Sequence, residues 1–88
     1  MFRTFKDPDS LEDFMFDWSA RAATDKVVGS EWIVPAGVSA LAHSHTGTQT
    51  TVRLAGGTSG QVYVVTNRVT LDSGQVLDAS ILIRCQEQ

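Results

Sequence analysis

The chain reads as an all-β, immunoglobulin-like β-sandwich of six to seven strands, and three observations carry that expectation. Apolar and polar residues alternate with period two through most of the length. Clusters of Gly, Pro and Ser punctuate the alternation at short intervals, as they do in sandwiches. A tyrosine, Tyr63, stands just after the glycine-rich run Gly56-Gly57-Thr58-Ser59-Gly60. Its hydroxyl is placed to reach upstream backbone as a tyrosine corner, and Val65 follows at the site a disulfide cysteine takes in antibodies.

Each element follows from its own pattern. Residues 1–9 have no place in the alternation and are set apart as an N-terminal arm, leaving a sandwich domain over 10–88. Phe14, Phe16 and Trp18 alternate with Met15, Asp17 and Ser19, a strand with one aromatic face turned inward. Ser10 is a possible helix cap, but aromatics at spacing two favour the strand. The next strand runs from about Val27 to Val34, with Val28, Ser30, Trp32 and Val34 on one face, and Pro35-Ala36-Gly37 ends it. Val38 to about His43 is a short, weakly patterned strand. Thr50, Val52 and Leu54 mark another, followed by the glycine-rich turn. The longest spans Gln61 to about Leu71, with Tyr63, Val65, Val69 and Leu71 on one side. Asp72-Ser73-Gly74 turns the chain into a last strand, Val76 to Cys85, in which Ile81, Ile83 and Cys85 face one way. The expected core is Phe16, Trp18, Trp32, Val52, Leu54, Tyr63, Val65, Ile81 and Ile83, with Trp32 at the centre between the sheets.

Composition sets the outer bounds. The 88 residues are 42% hydrophobic and 19% charged, which excludes disordered, collagen-like and coiled-coil chains. No apolar run approaches the roughly 18 residues of a membrane helix, and no stretch resembles a signal peptide, so a soluble, unexported chain without a membrane partner is expected. A net charge of -3 without any Lys or Arg cluster argues against nucleic acid as a partner. Seven of the ten acidic residues fall within the first 31, so an electrostatic partner would be felt at that end. A domain of this size buries only about 60–65% of its unfolded surface, a thin margin that docking or oligomerisation would widen.

The candidate chemistry is sparse. His43-Ser44-His45 puts two imidazoles on one face of a strand, but zinc needs further ligands and none lies close in sequence; two exposed histidines is the reading taken. Cys85, the single cysteine, shares its face with Ile81 and Ile83 and reads as a buried, inert thiol. The Gly56–Gly60 run lacks the lysine and following helix of a phosphate loop. Asp7 to Asp13 is dense in carboxylates, but Leu11 and Glu12 occupy positions where a calcium loop needs a ligand and a glycine. No catalytic residue, metal site or cofactor site is assigned, and a module that binds other proteins is what remains.

Asp7-Pro8-Asp9, Phe16-Asp17-Trp18-Ser19, Trp32-Ile33-Val34-Pro35-Ala36-Gly37, Leu54 through Tyr63, Val65-Thr66-Asn67 and Ser80-Ile81-Leu82-Ile83 stand in an order and spacing that resembles a family of small virion proteins of tailed bacteriophages. These are the fiber–tail adaptor proteins, and the resemblance runs from about Lys6 to Arg84. It implies an immunoglobulin-like fold, no catalysis, and a place in the virion, assembled in the host bacterial cytoplasm, where several copies contact other tail, fiber or neck proteins. Where the family usually has a Gly-Asp turn and an Arg-containing hairpin, this chain has Ala23-Thr24-Asp25-Lys26 and Ser73-Gly74-Gln75, so loop contacts are not carried over. Two phenylalanines on a terminal arm would be costly in water, which makes Phe2, Arg3, Phe5, Asp7 and Asp9 the expected partner-binding residues. A capsid cement, decoration or neck protein is the nearest alternative, and a host-surface or carbohydrate-binding module the next.

Overall fold

The computed structural model describes residues 2–7, 10–22 and 24–86, including their side chains except those of Phe2 and Arg3. Two sheets face one another. One contains β1 (Phe2–Lys6), β7 (Val76–Cys85), β6 (Val62–Leu71) and β3 (Val27–Ile33), in that order. The other orders β2 (Glu12–Asp17), β5 (Gln49–Gly56) and β4 (Val38–His45). Every pairing is antiparallel except that of β1 with β7. The chain changes sheets between β1 and β2, β2 and β3, β3 and β4, and β5 and β6, a connectivity of the kind found in immunoglobulin-like sandwiches.

The alternation seen in the later strands is realised directly. Thr50, Val52 and Leu54 of β5 point inward and are buried, as are Tyr63, Val65, Val69 and Leu71 of β6 and Ile81, Ile83 and Cys85 of β7. Phe16 and Trp18 complete the core. The tyrosine corner is present: the Thr58 N–H donates to the Tyr63 hydroxyl at 3.0 Å. The turn before it must be glycine at Gly57, where φ is +99° and an added Cβ would collide with the Cys85 sulfur.

Three expectations give way to the structure. Residues 2–6, set apart as an arm, form β1, which adds to the edge of the larger sheet by pairing with residues 81–85. The local pattern concealed this because the two phenylalanines are three residues apart, out of step with period two, and Lys6 points inward. Lys6 is 1% exposed, and its Nζ donates to the carbonyls of Asp7, Ser10 and Gly56 at 2.9, 2.7 and 2.8 Å. Carbonyl dipoles replace the water its charge gives up, and the bond to Gly56 ties β1 to the end of β5 in the opposite sheet.

The second departure is in β3. A bulge between Val27 and Gly29 breaks the alternation, so Val27 is buried while Val28 points outward. The third concerns the indole at the centre. β2 stops at Asp17, and residues 19–22 form a single helical turn, α1, rather than prolonging the strand. Asp17 accepts the Ser19 N–H at 2.9 Å to start that turn, and Trp18 drops between the sheets at 1% exposure. Trp32 is half-buried at the margin, so Trp18 holds the central position expected of Trp32.

A polar network fixes Trp18 there. Its Nε1 donates to Thr50 Oγ1 at 3.1 Å and to Asn67 Oδ1 at 3.0 Å. The Thr50 hydroxyl donates to the same Asn67 oxygen. Asn67 Nδ2 in turn donates to Ser30 Oγ and to the Glu31 carbonyl, both at 3.0 Å. Each of these buried groups has a partner, so the network links β5 of one sheet to β6 and β3 of the other without an orphaned atom among its members. Arg21 of α1 lies 5.0 Å from the Trp18 ring centroid and covers it from outside.

Candidate functional site

With the inward-facing residues committed to the core, function rests on the outer faces and edges. Strand register decides which residues share the outer face of the four-stranded sheet. One row crosses Phe5, Arg84 and Val62, the next crosses Leu82 and Val64, and a third crosses Ser80, Thr66 and Ile33. Phe5 is 58% exposed, Val62 48%, Val64 43% and Ile33 41%. Together with half-buried Leu82 they make a largely apolar patch, with the exposed Arg84 between Phe5 and Val62, on a face that a lone domain would leave to water.

The other end of the same face is charged. Arg68 grips Asp78 through Nε at 2.9 Å and through a second nitrogen at 3.1 Å, a bidentate pair. The Arg68 guanidinium holds the Asp78 carboxyl below its usual value. Asp78 raises the Arg68 pKa by the same contact, with Glu31 adding a smaller effect in the same direction. The face therefore has a largely apolar half, which also carries Arg84, and a half whose charges are internally matched, and the apolar side chains are where a partner gains by displacing water.

Of the residues picked as partner-binding from sequence, Phe5 stands in the first row of this patch. Phe2 and Arg3 pair through their backbones with Ile81 and Leu82, while their side chains and all of Asp9 lie outside the described residues. Asp7 follows β1, half-buried, and its carbonyl accepts bonds from Lys6 and from the backbone and hydroxyl of Ser10. Val62, Val64, Ile33 and Leu82 were not singled out. The signal was present in β6, where valines occur on both parities of the strand, and in a sandwich only one parity can face the core.

Two concavities lie elsewhere. A groove of about 350 Å³ runs between the β1 and β2 edges, lined by Thr4, Phe14, Met15, Phe16, Asp17 and Ile81. A shallower basin of about 210 Å³ on the outer face of the three-stranded sheet is lined by Asp13, Arg53, His43, Ser44, Ala42 and Thr51. Asp13 and Arg53 pair across it at 2.9 Å, which lowers the Asp13 pKa and raises that of Arg53. His43 and His45 are exposed on β4, and among the described residues no three His, Cys, Asp or Glu side chains converge on a cation position. Cys85 is buried against Val38 and Tyr63.

Comparison with known proteins locates the chain. Among solved structures it is similar to the PKD domain of the KIAA 1837 protein, with a TM-score of 0.57 and 19% identity over 99% of this chain and 80% of that one. That likeness speaks for the fold alone. No curated protein matches. The sequence profile of the family described as podophage GP4 fiber-tail adaptor protein gp77 matches residues 6–84, a span that runs from the buried Lys6 through all of β7 but its last residue. A match over that span makes this chain a member of the podophage GP4 fiber-tail adaptor gp77 family.

Proposed function

We propose that the chain is a virion structural protein that joins a tail fiber or a neighbouring tail protein to the phage particle, and that the apolar half of the outer β1-β7-β6-β3 face is a docking surface. It acts by binding and carries out no reaction; its partners are other virion proteins, met in several copies, rather than nucleic acid or membrane. The family match over residues 6–84 carries the role. The exposed cluster of Phe5, Val62, Val64 and Ile33 supports the choice of surface. Removing such area from water is worth about 25 cal/mol per Å², a gain available only when a partner covers it.

The test is incorporation into particles. Val64→Asp and Phe5→Asp place a carboxylate on the patch without touching the core, so the thermal midpoint stays close to wild type while incorporation drops at least tenfold. Incorporation at the wild-type level by folded Val64→Asp and Phe5→Asp proteins would remove this face from the account. Locating the chain in an imaged particle at the capsid surface or neck, away from any fiber, would replace the adaptor role itself.

A further inference from the structure

The two edges of the three-stranded sheet are unlike one another. β4 carries no Lys, Arg, Asp, Glu or Pro along Val38–His45, and every residue after Val38 is exposed. Among the described residues its backbone forms no hydrogen bond beyond the ladder with β5. Folded proteins blunt an open edge with charge, proline or a bulge, and here the only such device is the bulge between Ala40 and Ala42. β2, at the other end of the sheet, carries Glu12, Asp13 and Asp17 within six residues. Arg53 answers Asp13, which leaves β2 an acidic edge.

We infer that β4 of one copy pairs with β2 of the next, joining copies of this chain head to tail through the three-stranded sheet. Pairing β2 with another β2 would set carboxylates against carboxylates, which is destabilising. A two-fold antiparallel β4 pair would bring both bulges together at the middle of the strands, where each ladder is already interrupted. β4 against β2 meets neither obstacle. Glu12 of β2, opposite Leu54, lies on the same face of the sheet as His43 of β4, opposite Val52, so with Met15 beside Ser44 the acid stands diagonal to that imidazole, within reach of a long side chain. On the other face Met15 and Ser44 stand in one row, both opposite Thr51, one at each edge.

Such a contact is heterologous, using one edge of each copy and leaving the other free, so it closes into a ring or continues. A single short strand pair buries less than the roughly 1,200–2,000 Å² of a standard interface. Pairwise association is therefore weak, and it becomes stable through closure or through several copies held together on one particle. The inference goes beyond the adaptor role and stands whichever protein meets the other sheet.

The experiment uses the full chain with Met15→Cys and Ser44→Cys together, treated with a bismaleimide; Cys85 is fully buried and serves as the unreactive control. The double variant is expected to give a ladder of covalent oligomers. Each single variant alone stays monomeric, and an equal mixture of the two singles stops at the dimer. Dimers from Ser44→Cys alone would mark a two-fold β4 contact and overturn the proposal, as would dimers from Met15→Cys alone or the absence of any species above monomer. Adding His43→Glu, at an exposed position, is expected to cut the ladder at least tenfold, and adding Glu12→Lys to it to restore it. A ladder indifferent to these charges would also overturn the pairing.

Discussion

Trp18 and Trp32 flank the same ring. Phe16 lies 5.9 Å from Trp18, tilted at 57°, and 5.8 Å from Trp32, stacked at 14°. Their nitrogens meet opposite circumstances. Trp18 Nε1 has Thr50 and Asn67 as acceptors, whereas Trp32 Nε1 is buried with no partner among the described residues. An indole has one donor, and a buried donor without an acceptor costs about 1–3 kcal/mol. The comparison teaches that size alone does not decide which aromatic takes the centre: the position goes to the one whose polar atom is satisfied there.

Breaking the comparison at its stronger end gives the largest expected effect. Trp18→Ala is expected to cost about 3–5 kcal/mol, approaching the whole stability of so small a domain; denaturant unfolding reads this as a chain largely unfolded at room temperature. Asn67→Leu comes next. It removes the acceptor shared by Trp18 Nε1 and the Thr50 hydroxyl and the donor to Ser30 and the Glu31 carbonyl. Because Trp18 keeps Thr50 as an acceptor and Ser30 and Glu31 are not fully buried, the cost is expected at about 1–3 kcal/mol in all, and the same unfolding curves measure it. Trp32→Ala, at a half-buried site, is expected to cost about 1–3 kcal/mol, less than Trp18→Ala in the same buffer.

Trp32→Phe sharpens the contrast further. It keeps the stack on Phe16 and deletes the orphaned N–H, so stability is expected to change by less than about 1 kcal/mol and to rise rather than fall. Trp18→Phe moves the other way, because Thr50 Oγ1 loses its donor and Asn67 Oδ1 keeps only the bond from the Thr50 hydroxyl. Equal losses from the two phenylalanine substitutions would remove the distinction drawn between the indoles.

The smallest effect is expected from acid. Asp13, Asp17, Asp25 and Asp78 are held below the usual aspartate value of 3.8 by Arg53, the Ser19 N–H, the Ser73 hydroxyl and Arg68 respectively. A carboxyl whose pKa is lower folded than unfolded stabilises fully above its unfolded value, and that contribution is lost as pH falls through the folded one. The thermal midpoint is therefore flat above about pH 5 and declines below about pH 4. All four groups are at the surface, so Trp18 and Trp32 variants that remain folded should show the same acid decline as wild type.

How much was legible depended on how local the cause was. β5, β6 and β7 could be read because their alternation reports one buried face, and the tyrosine corner because its partner lies five residues upstream. The strand at Phe2–Lys6 could not, since it exists by parallel pairing with residues 81–85 at the far end of the chain. A lysine at its inward position is the reverse of what a local pattern favours. The exposed apolar patch was half-visible: Phe5 stood out as a costly exposed aromatic, while Val62 and Val64 looked like ordinary strand residues.

Residue order by itself determined the all-β class, the turns, the inward face of the last three strands and the want of a charge cluster that would hold nucleic acid. Only the assembled sandwich decided which indole sits at its middle, that the first strand belongs to the sheet, and which edges stay open. Alternation and turn chemistry are written within a few neighbours along the chain. The choice of partner strand, of acceptor for a buried donor and of exposed edge depends on groups that meet only after distant segments have packed.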